Sequence, residues 1–183
     1  MQKTDLMTKE ELIEIIVSWE NLPLIIHAFK NNPENILVLA QVAMQSNHPK
    51  SWRAAWLMDK IHEKNPDLVA PFIPDMIQKI KTEKNEGKKR HFLKLISLNN
   101  IPAEQQGFLF DYCQKAFTSA KEPLAVRVHA MQILYHISEN EPELKHEILA
   151  IIEDEMENHS SAGIISRGRK LAWKLRSQIR IKD

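Results

Sequence analysis

Apolar residues recur along the chain at intervals of three and four, the spacing that places side chains on one face of an α-helix. The first such stretch carries Leu12, Ile16 and Trp19. It follows Thr8 and Glu11, whose spacing matches a capping box, so a helix is predicted to begin here. No run of β-branched residues alternates with period two, and glycine occurs only four times. The pattern therefore predicts an all-α chain.

Prolines, asparagines and glycines divide this periodic pattern into paired helices within one predicted domain, residues 1–183. We predict helical pairs over residues 8–46, 50–82, 86–118 and 122–158, and a terminal capping helix over about 161–181. Asn21-Leu22-Pro23 is expected to end the first helix, residues 24–30 are expected to form a further turn or two, and the conformation of 21–32 stays open. Pro71 and Pro74 lie early in one helix and are expected to delay or kink its start.

Two features repeat with a period of 33 to 40 residues. Prolines precede the second helix of each pair, at Pro33, Pro66, Pro102 and Pro142. Arginines recur in the first helices 37 residues apart, at Arg53, Arg90 and Arg127, and an apolar residue follows each after three positions. A period of this length with two helices per unit is typical of an α-solenoid, in which each pair completes its core by stacking on its neighbours.

The repeated unit resembles the HEAT-like family of helical repeats. The resemblance rests on Val126-Arg127-x-x-Ala130 with Leu134, and more loosely on Trp52-Arg53-x-x-Trp56. It covers about residues 8–181 and implies a right-handed α–α superhelix with an outer layer of first helices and an inner layer of second helices. It also implies that the recurring arginines bond within or between repeats. An aspartate before the Val-Arg pair is mostly missing, and Trp56 replaces a small residue.

Composition narrows the function classes only by exclusion. The formal net charge is +1, which favours no class of partner. Cys113 is the single cysteine, which excludes an internal disulfide and a CxxC site. The N-terminal segment has charges where a secretory signal is apolar, and no apolar run reaches about 18 residues. We therefore expect a cytoplasmic protein with no membrane partner.

In the predicted two-layer arrangement, acidic and basic residues are concentrated in different layers. The second helices of the pairs hold eleven acidic and four basic residues, whereas the first helices and the terminal helix hold eight acidic and seventeen basic residues. The predicted acidic surface consists of Glu143, Glu147, Glu153, Asp154, Glu155 and Glu157. The predicted basic edge consists of Lys88, Lys89, Arg90, Lys94, Arg167, Arg169 and Lys170. Both sets are interpreted either as ordinary solvated faces or as contact surfaces for a partner of opposite charge.

Recognisable groupings of catalytic or metal-binding side chains are few. His129 and His136 share a helix face, but a third ligand at helical spacing and an HExxH motif are missing, so no metal site is predicted. Cys113 lies on an apolar stripe and is predicted to be a buried, inert thiol. No phosphate-binding glycine loop or catalytic triad signature occurs, so neither a catalytic residue nor a cofactor is predicted.

Trp52 and Trp56 share one helix face and form the aromatic candidate site. If the two rings lie on the surface beside basic residues, nucleic-acid bases could stack on them. If they lie in the core, they pack between repeats. Arg53 is expected to point about 100° away from them. Asp59, three residues beyond Trp56, would suit the carboxylate of a DNA-alkylation-repair glycosylase, an enzyme class with HEAT-like relatives, but a groove lined by acidic second helices would repel phosphates.

We therefore expect a non-catalytic scaffold or adaptor that binds another protein. The alternative is a helical repeat protein that binds nucleic acid through the basic edge, and a third interpretation is the glycosylase. No small-molecule substrate is inferred, and the sequence leaves the oligomeric state open.

Overall fold

A computed structural model describes residues 7–20, 22–32, 34–158 and 161–180 of the protein. These residues form α-helices joined by short connections, and the described ranges contain no β-strand. The all-α prediction is therefore confirmed. The chain divides into two compact units, Met1–Leu95 and Ile96–Asp183, and each is described by itself. The helices are α1 (Lys9–Ser18), α2 (Leu22–Asn31), α3 (Asn35–Gln45), α4 (Trp52–His62), α5 (Ile73–Ile80), α6 (Glu86–Ser97), α7 (Ala103–Thr118), α8 (Leu124–Asn140), α9 (Lys145–Asn158) and α10 (Ala162–Arg180).

The start of α1 is fixed by the predicted capping box. The Thr8 hydroxyl accepts a hydrogen bond from the Glu11 backbone N–H at 3.2 Å, and the Glu11 carboxylate accepts one from the Thr8 N–H at 2.8 Å. At the other end, Trp19 caps the helix in the left-handed conformation with φ of 58°. This conformation is uncommon for a residue with a side chain, and it turns the backbone sharply after α1.

The first predicted pair, residues 8–46, contains three helices rather than two. Residues 22–31 form α2, a helix of ten residues. Pro23 is the second residue of α2, where it displaces no intrahelical hydrogen bond and so does not break the helix. The turn or two expected at residues 24–30 lies within this helix, so the conformation that the sequence left open is helical over residues 22–31. In the first unit α3 packs against α1 and α4, and α2 packs against α4.

The prolines before α5 have the effect predicted from the sequence. Short 3-10 helices occupy Pro66–Leu68 and Ala70–Phe72, and the α-helix begins only at Ile73. Pro142 likewise opens a 3-10 turn, Pro142–Leu144, before α9. Pro33 lies outside the described residues. A proline is tolerated at these positions because the first residues of a helix have no intrahelical acceptor for their N–H groups.

The core of the second unit is built around α8, which packs against α7, α9 and α10. Its fully buried residues include Val126, Ala130 and Leu134, the positions on which the sequence resemblance rests. Two buried isoleucines of α9, Ile148 and Ile152, complete this core. Helix α10 contributes a buried stripe against α8 and α9 that consists of Ile164, Gly168, Leu171, Ala172 and Leu175.

A close approach between α9 and α10 depends on Gly168. A Cβ atom at this position would lie 2.7 Å from the Met156 sulfur and 2.8 Å from its Cγ. Glycine therefore allows the two helices to come closer than any other residue would.

None of the helices in the described part of the chain is both long and apolar enough to cross a bilayer.

Candidate functional site

The acidic surface predicted for the fourth pair lies on α9 and the 3-10 turn before it. Its exposed members are Glu143, Glu147, Asp154 and Glu157. Lys145 is the only lysine or arginine between residues 142 and 158, and it is buried. The exposed side of this segment therefore carries carboxylates with no lysine or arginine between them.

Two residues assigned to the acidic surface have partners inside the second unit. Glu155 is 4% exposed, and its Oε2 lies 2.5 Å from Arg127 Nη2, so its inclusion in the surface was wrong. A buried carboxylate needs such a partner because the desolvation of an isolated charge is costly. Glu153 is half-buried and forms an ion pair of 2.6 Å with Arg176 of α10. The surface is thus reduced to the four exposed carboxylates.

The basic side chains of α6 largely form contacts with other residues of the first unit. Lys88 is 3% exposed, and its ammonium donates a hydrogen bond of 2.7 Å to the carbonyl of Ser46. Burial lowers the pKa of Lys88 below its usual value. Its assignment to a basic edge was therefore wrong. Arg90 remains exposed, with Nη2 3.1 Å from His91 Nε2, and Lys89 is half-exposed.

Lys94 belongs to a buried charge cluster that links α4 to α6. Asp59 is 3% exposed, with Oδ1 2.7 Å from Lys94 Nζ and Oδ2 3.1 Å from His91 Nδ1. Lys94 also lies 3.3 Å from Glu63. Burial alone would raise the pKa of Asp59, but the hydrogen bonds from His91 and Lys94 outweigh it and hold the pKa below its usual value. The carboxylate of Asp59 is therefore engaged in ion pairs. This arrangement gives no support to the glycosylase interpretation.

The second basic cluster, in α10, is exposed. Arg167, Arg169 and Lys170 all lie in solvent. Arg167 donates a hydrogen bond of 3.0 Å to the side-chain oxygen of Gln132 on α8. For Arg169 and Lys170 the described residues offer no ion-pair partner, and the Gln132 partner of Arg167 is neutral, so the charge of this cluster is not neutralised within the described part of the chain.

Trp52 and Trp56 pack around a third tryptophan, Trp19, which the aromatic prediction omitted. The ring centroids lie 6.3 Å apart for Trp19 and Trp52, and 5.0 Å apart for Trp19 and Trp56. All three rings are half-buried. The guanidinium of Arg53 lies 4.6 Å from the Trp19 ring and 5.7 Å from the Trp52 ring. The expectation that Arg53 points away from the tryptophans is corrected, because the guanidinium folds back over two of the rings.

The repeated basic residues bond to the ends of earlier helices, as the resemblance implied for the arginines. Arg53 donates to the carbonyls of Ile16 and Val17 at the end of α1, at 2.8 and 3.1 Å. Arg127 donates to the carbonyl of Phe117 at the end of α7, at 2.8 Å. These carbonyls lack intrahelical donors and carry the negative end of the helix dipole. In α6 it is Lys88, and not Arg90, that bonds to the end of an earlier helix. The 37-residue spacing of the arginines did not predict this.

The remaining chemical candidates are structural. Cys113 is fully buried, as predicted, and burial raises the pKa of its thiol. His136 Nε2 lies 3.0 Å from the Gln132 side-chain nitrogen, and burial lowers the pKa of this histidine. Among the described residues, no group of three histidine, cysteine or acidic side chains is arranged to hold a metal ion.

Trp173 on α10 is the surface residue that sequence reasoning missed. It is 69% exposed. The exposure of Trp173 could have been predicted from the apolar stripe of α10, which is formed by Leu171, Ala172 and Leu175. Helical geometry places residue 173 on the side opposite this stripe, so an amphipathic projection of α10 alone would have exposed it.

Comparison with known proteins gives one match. A family model described as a HEAT repeat domain matches residues 8–175. Searches of curated proteins and of solved structures each returned no match. The family match confirms the fold class predicted from the period and the Val-Arg motif, an all-α HEAT-like solenoid.

Proposed function

Because the chain belongs to the HEAT repeat domain family, whose members are helical repeat scaffolds that typically mediate protein interactions, we propose that it is a non-catalytic adaptor for another protein. The contact surface is the exposed acidic side of α9 with its preceding turn, formed by Glu143, Glu147, Asp154 and Glu157. The partner is a protein with a basic segment.

The carboxylates of α9 carry this proposal. Glu147 and Asp154 are seven residues apart, which places them on one helix face about 10 Å from each other along the axis. Because Lys145 is buried, the exposed charge of this face is uniformly negative. Such a face steers a basic partner and raises its rate of association. Glu153 and Glu155 are excluded because their ion pairs hold the second unit together.

The test is affinity capture from cell extract with a charge-reversed variant. The double substitution Glu147→Lys and Asp154→Lys reverses two exposed charges without touching a buried group. The matched control is Glu104→Lys with Asp111→Lys, because these residues are also exposed, seven apart and on one helix, α7. Extracts are compared with and without nuclease at low and moderate salt.

We expect a stoichiometric basic protein that survives nuclease, that is retained by the control, and that is lost with the α9 variant. Retention of the same partner by both variants would remove α9 from the contact surface. Recovery that disappears with nuclease would contradict the adaptor proposal itself.

A further inference from the structure

Trp173 is an isolated aromatic ring on a hydrophilic helix face. It is 69% exposed, more than any other large apolar side chain of the described residues. The buried stripe of α10, which includes Leu171 and Leu175, lies on the opposite side of the helix and packs against α8 and α9. The indole therefore contributes little to the core, and its burial elsewhere would be favourable.

The residues around Trp173 are almost all cationic. At 100° per residue, four basic side chains lie within about 60° of Trp173 around the helix. They are Arg169, Lys170, Arg176 and Arg180, and all four are exposed. Ser166 and Ser177 also lie on this face, and no aspartate or glutamate occurs in α10. The face spans about 16 Å between Arg169 and Arg180 at 1.5 Å per residue.

The charge of this face is mostly unneutralised. Arg176 is paired with Glu153 of α9, and Lys174, about 100° away, lies 5.3 Å from the ring of Tyr135. Arg169, Lys170 and Arg180 have no ion-pair partner among the described residues. Within the described part of the chain, three cations without an ion-pair partner thus flank one exposed indole, which is the combination that contacts a phosphate backbone and stacks on a base.

We propose that this face of α10 binds single-stranded nucleic acid, with one base stacked on Trp173 and the flanking phosphates contacted by Arg169, Lys170 and Arg180. The site is independent of the protein-binding function proposed for α9, because it uses no acidic residue. A single strand is required, since the base must be unstacked to meet the indole.

A protein partner fits this face less well. The core of a protein interface is depleted of charge and surrounds its aromatic anchor with further apolar area. Here charges and serines surround Trp173 on every side of the helix face. A bilayer surface also fits less well, because a helix that lies in a membrane inserts a broad apolar face. The apolar face of α10 is already packed against the second unit.

The test is fluorescence anisotropy with a labelled oligothymidine of about ten nucleotides, titrated with the full chain. We expect binding whose affinity falls roughly 5- to 150-fold in Trp173→Ala, the range for loss of one stacked base. Trp173→Phe retains a stacking ring and is expected to lose less. Circular dichroism should show unchanged helicity in both variants, because the side chain is exposed.

Salt dependence measures the phosphate contacts. Three contacts predict a slope of about −2 for the logarithm of the association constant against the logarithm of salt concentration. Arg169→Gln should reduce the magnitude of that slope by about 0.7. Lys115→Gln, an exposed lysine on α7, is the matched control and should leave the slope unchanged.

Three results would overturn the proposal. The first is an affinity for oligothymidine that is equal in the wild type and in Trp173→Ala. The second is tighter binding, with the same dependence on Trp173, to polyglutamate, which would assign the face to an acidic protein. The third is tighter binding to phosphatidylserine vesicles, which would assign it to an anionic membrane.

Discussion

Arg127 Nη2 lies 2.5 Å from Glu155 Oε2, and both side chains are buried inside the second unit. Arg127 also donates its Nε–H to the carbonyl of Phe117 at 2.8 Å. The guanidinium therefore connects three helices, α7, α8 and α9, through two charge-assisted hydrogen bonds. Glu155, which the sequence pattern assigned to the acidic surface, is therefore part of the interior.

This pair predicts that Glu155→Ala destabilises the protein by about 3–5 kcal/mol, because it leaves the Arg127 charge buried without its anion. The double substitution Arg127→Met with Glu155→Leu should recover most of that loss, because it removes both charges. Urea unfolding followed by circular dichroism measures the difference. Glu157→Ala, exposed on the same helix, is the control and should change stability by no more than about 0.5 kcal/mol. Equal effects at residues 155 and 157 would contradict the buried pair.

The Asp59 cluster predicts a specific sensitivity to acid. Because the pKa of folded Asp59 lies below its unfolded value, its ion pairs stabilise the protein fully above about pH 4. That contribution is lost as pH falls through the folded pKa, at up to about 1.4 kcal/mol per pH unit for one group. Asp59→Asn should therefore show a flatter decline in stability between about pH 5 and pH 2 than the wild type.

Urea midpoints collected across that pH range test the Asp59 prediction. Asp75→Asn provides a comparison, because Asp75 is an exposed aspartate on α5 of the same unit. It should keep the slope of the wild type. A wild-type slope in Asp59→Asn as well would show that the cluster does not stabilise the folded state.

Ile148 gives a test of the core of the second unit. Ile148→Asp places a charge at a fully buried, apolar position of α9, and several kcal/mol of stability should be lost. We expect loss of cooperative unfolding of the second unit by circular dichroism. Ala150→Asp makes the same side chain two residues away at an exposed position and should fold normally. Normal folding of both variants would contradict the packing described for α9.

Substitution of glycine by alanine is expected to have opposite effects on stability at two positions. Gly107 lies within α7 with nothing within 4 Å of an added Cβ, so Gly107→Ala should stabilise by about 1 kcal/mol through helix propensity. Gly168→Ala would bring a Cβ against the Met156 sulfur and Cγ, so it should destabilise despite the same propensity gain. Thermal unfolding of both variants measures the contrast. Combining Gly168→Ala with Met156→Ala should relieve the clash, and a stabilising Gly168→Ala by itself would show that the Met156 side chain moves aside for the added methyl group.

The helices were predictable because their information is local. Thr8 and Glu11 are three residues apart, and the spacing of Leu12 and Ile16 defines the buried face of α1 without reference to the rest of the chain. The conformation of α2 was left open for a local reason as well. Asn21-Leu22-Pro23 indicates a break after the first helix, but proline is also compatible with the first turn of a new helix, where it breaks no hydrogen bond.

The site residues were harder to predict because their partners are distant in sequence. Lys88 bonds to Ser46, 42 residues before it, and Glu155 pairs with Arg127, 28 residues before it. A charged residue in a polar stretch is usually exposed, and only the tertiary partner reverses that expectation. Trp173 is the opposite case, an apolar residue without a partner, which periodicity alone places outside the core.

The cations of α4, α6 and α8 also limit how this chain can be re-engineered. Arg53 reaches back to α1, Lys88 to the residue after α3, and Arg127 to the immediately preceding α7. Each helix therefore recognises a different neighbour, at a different distance along the chain. The repeats are not interchangeable modules, and a shuffled or shortened array would bury a cation with no carbonyl to receive it unless donor and acceptor segments were moved together.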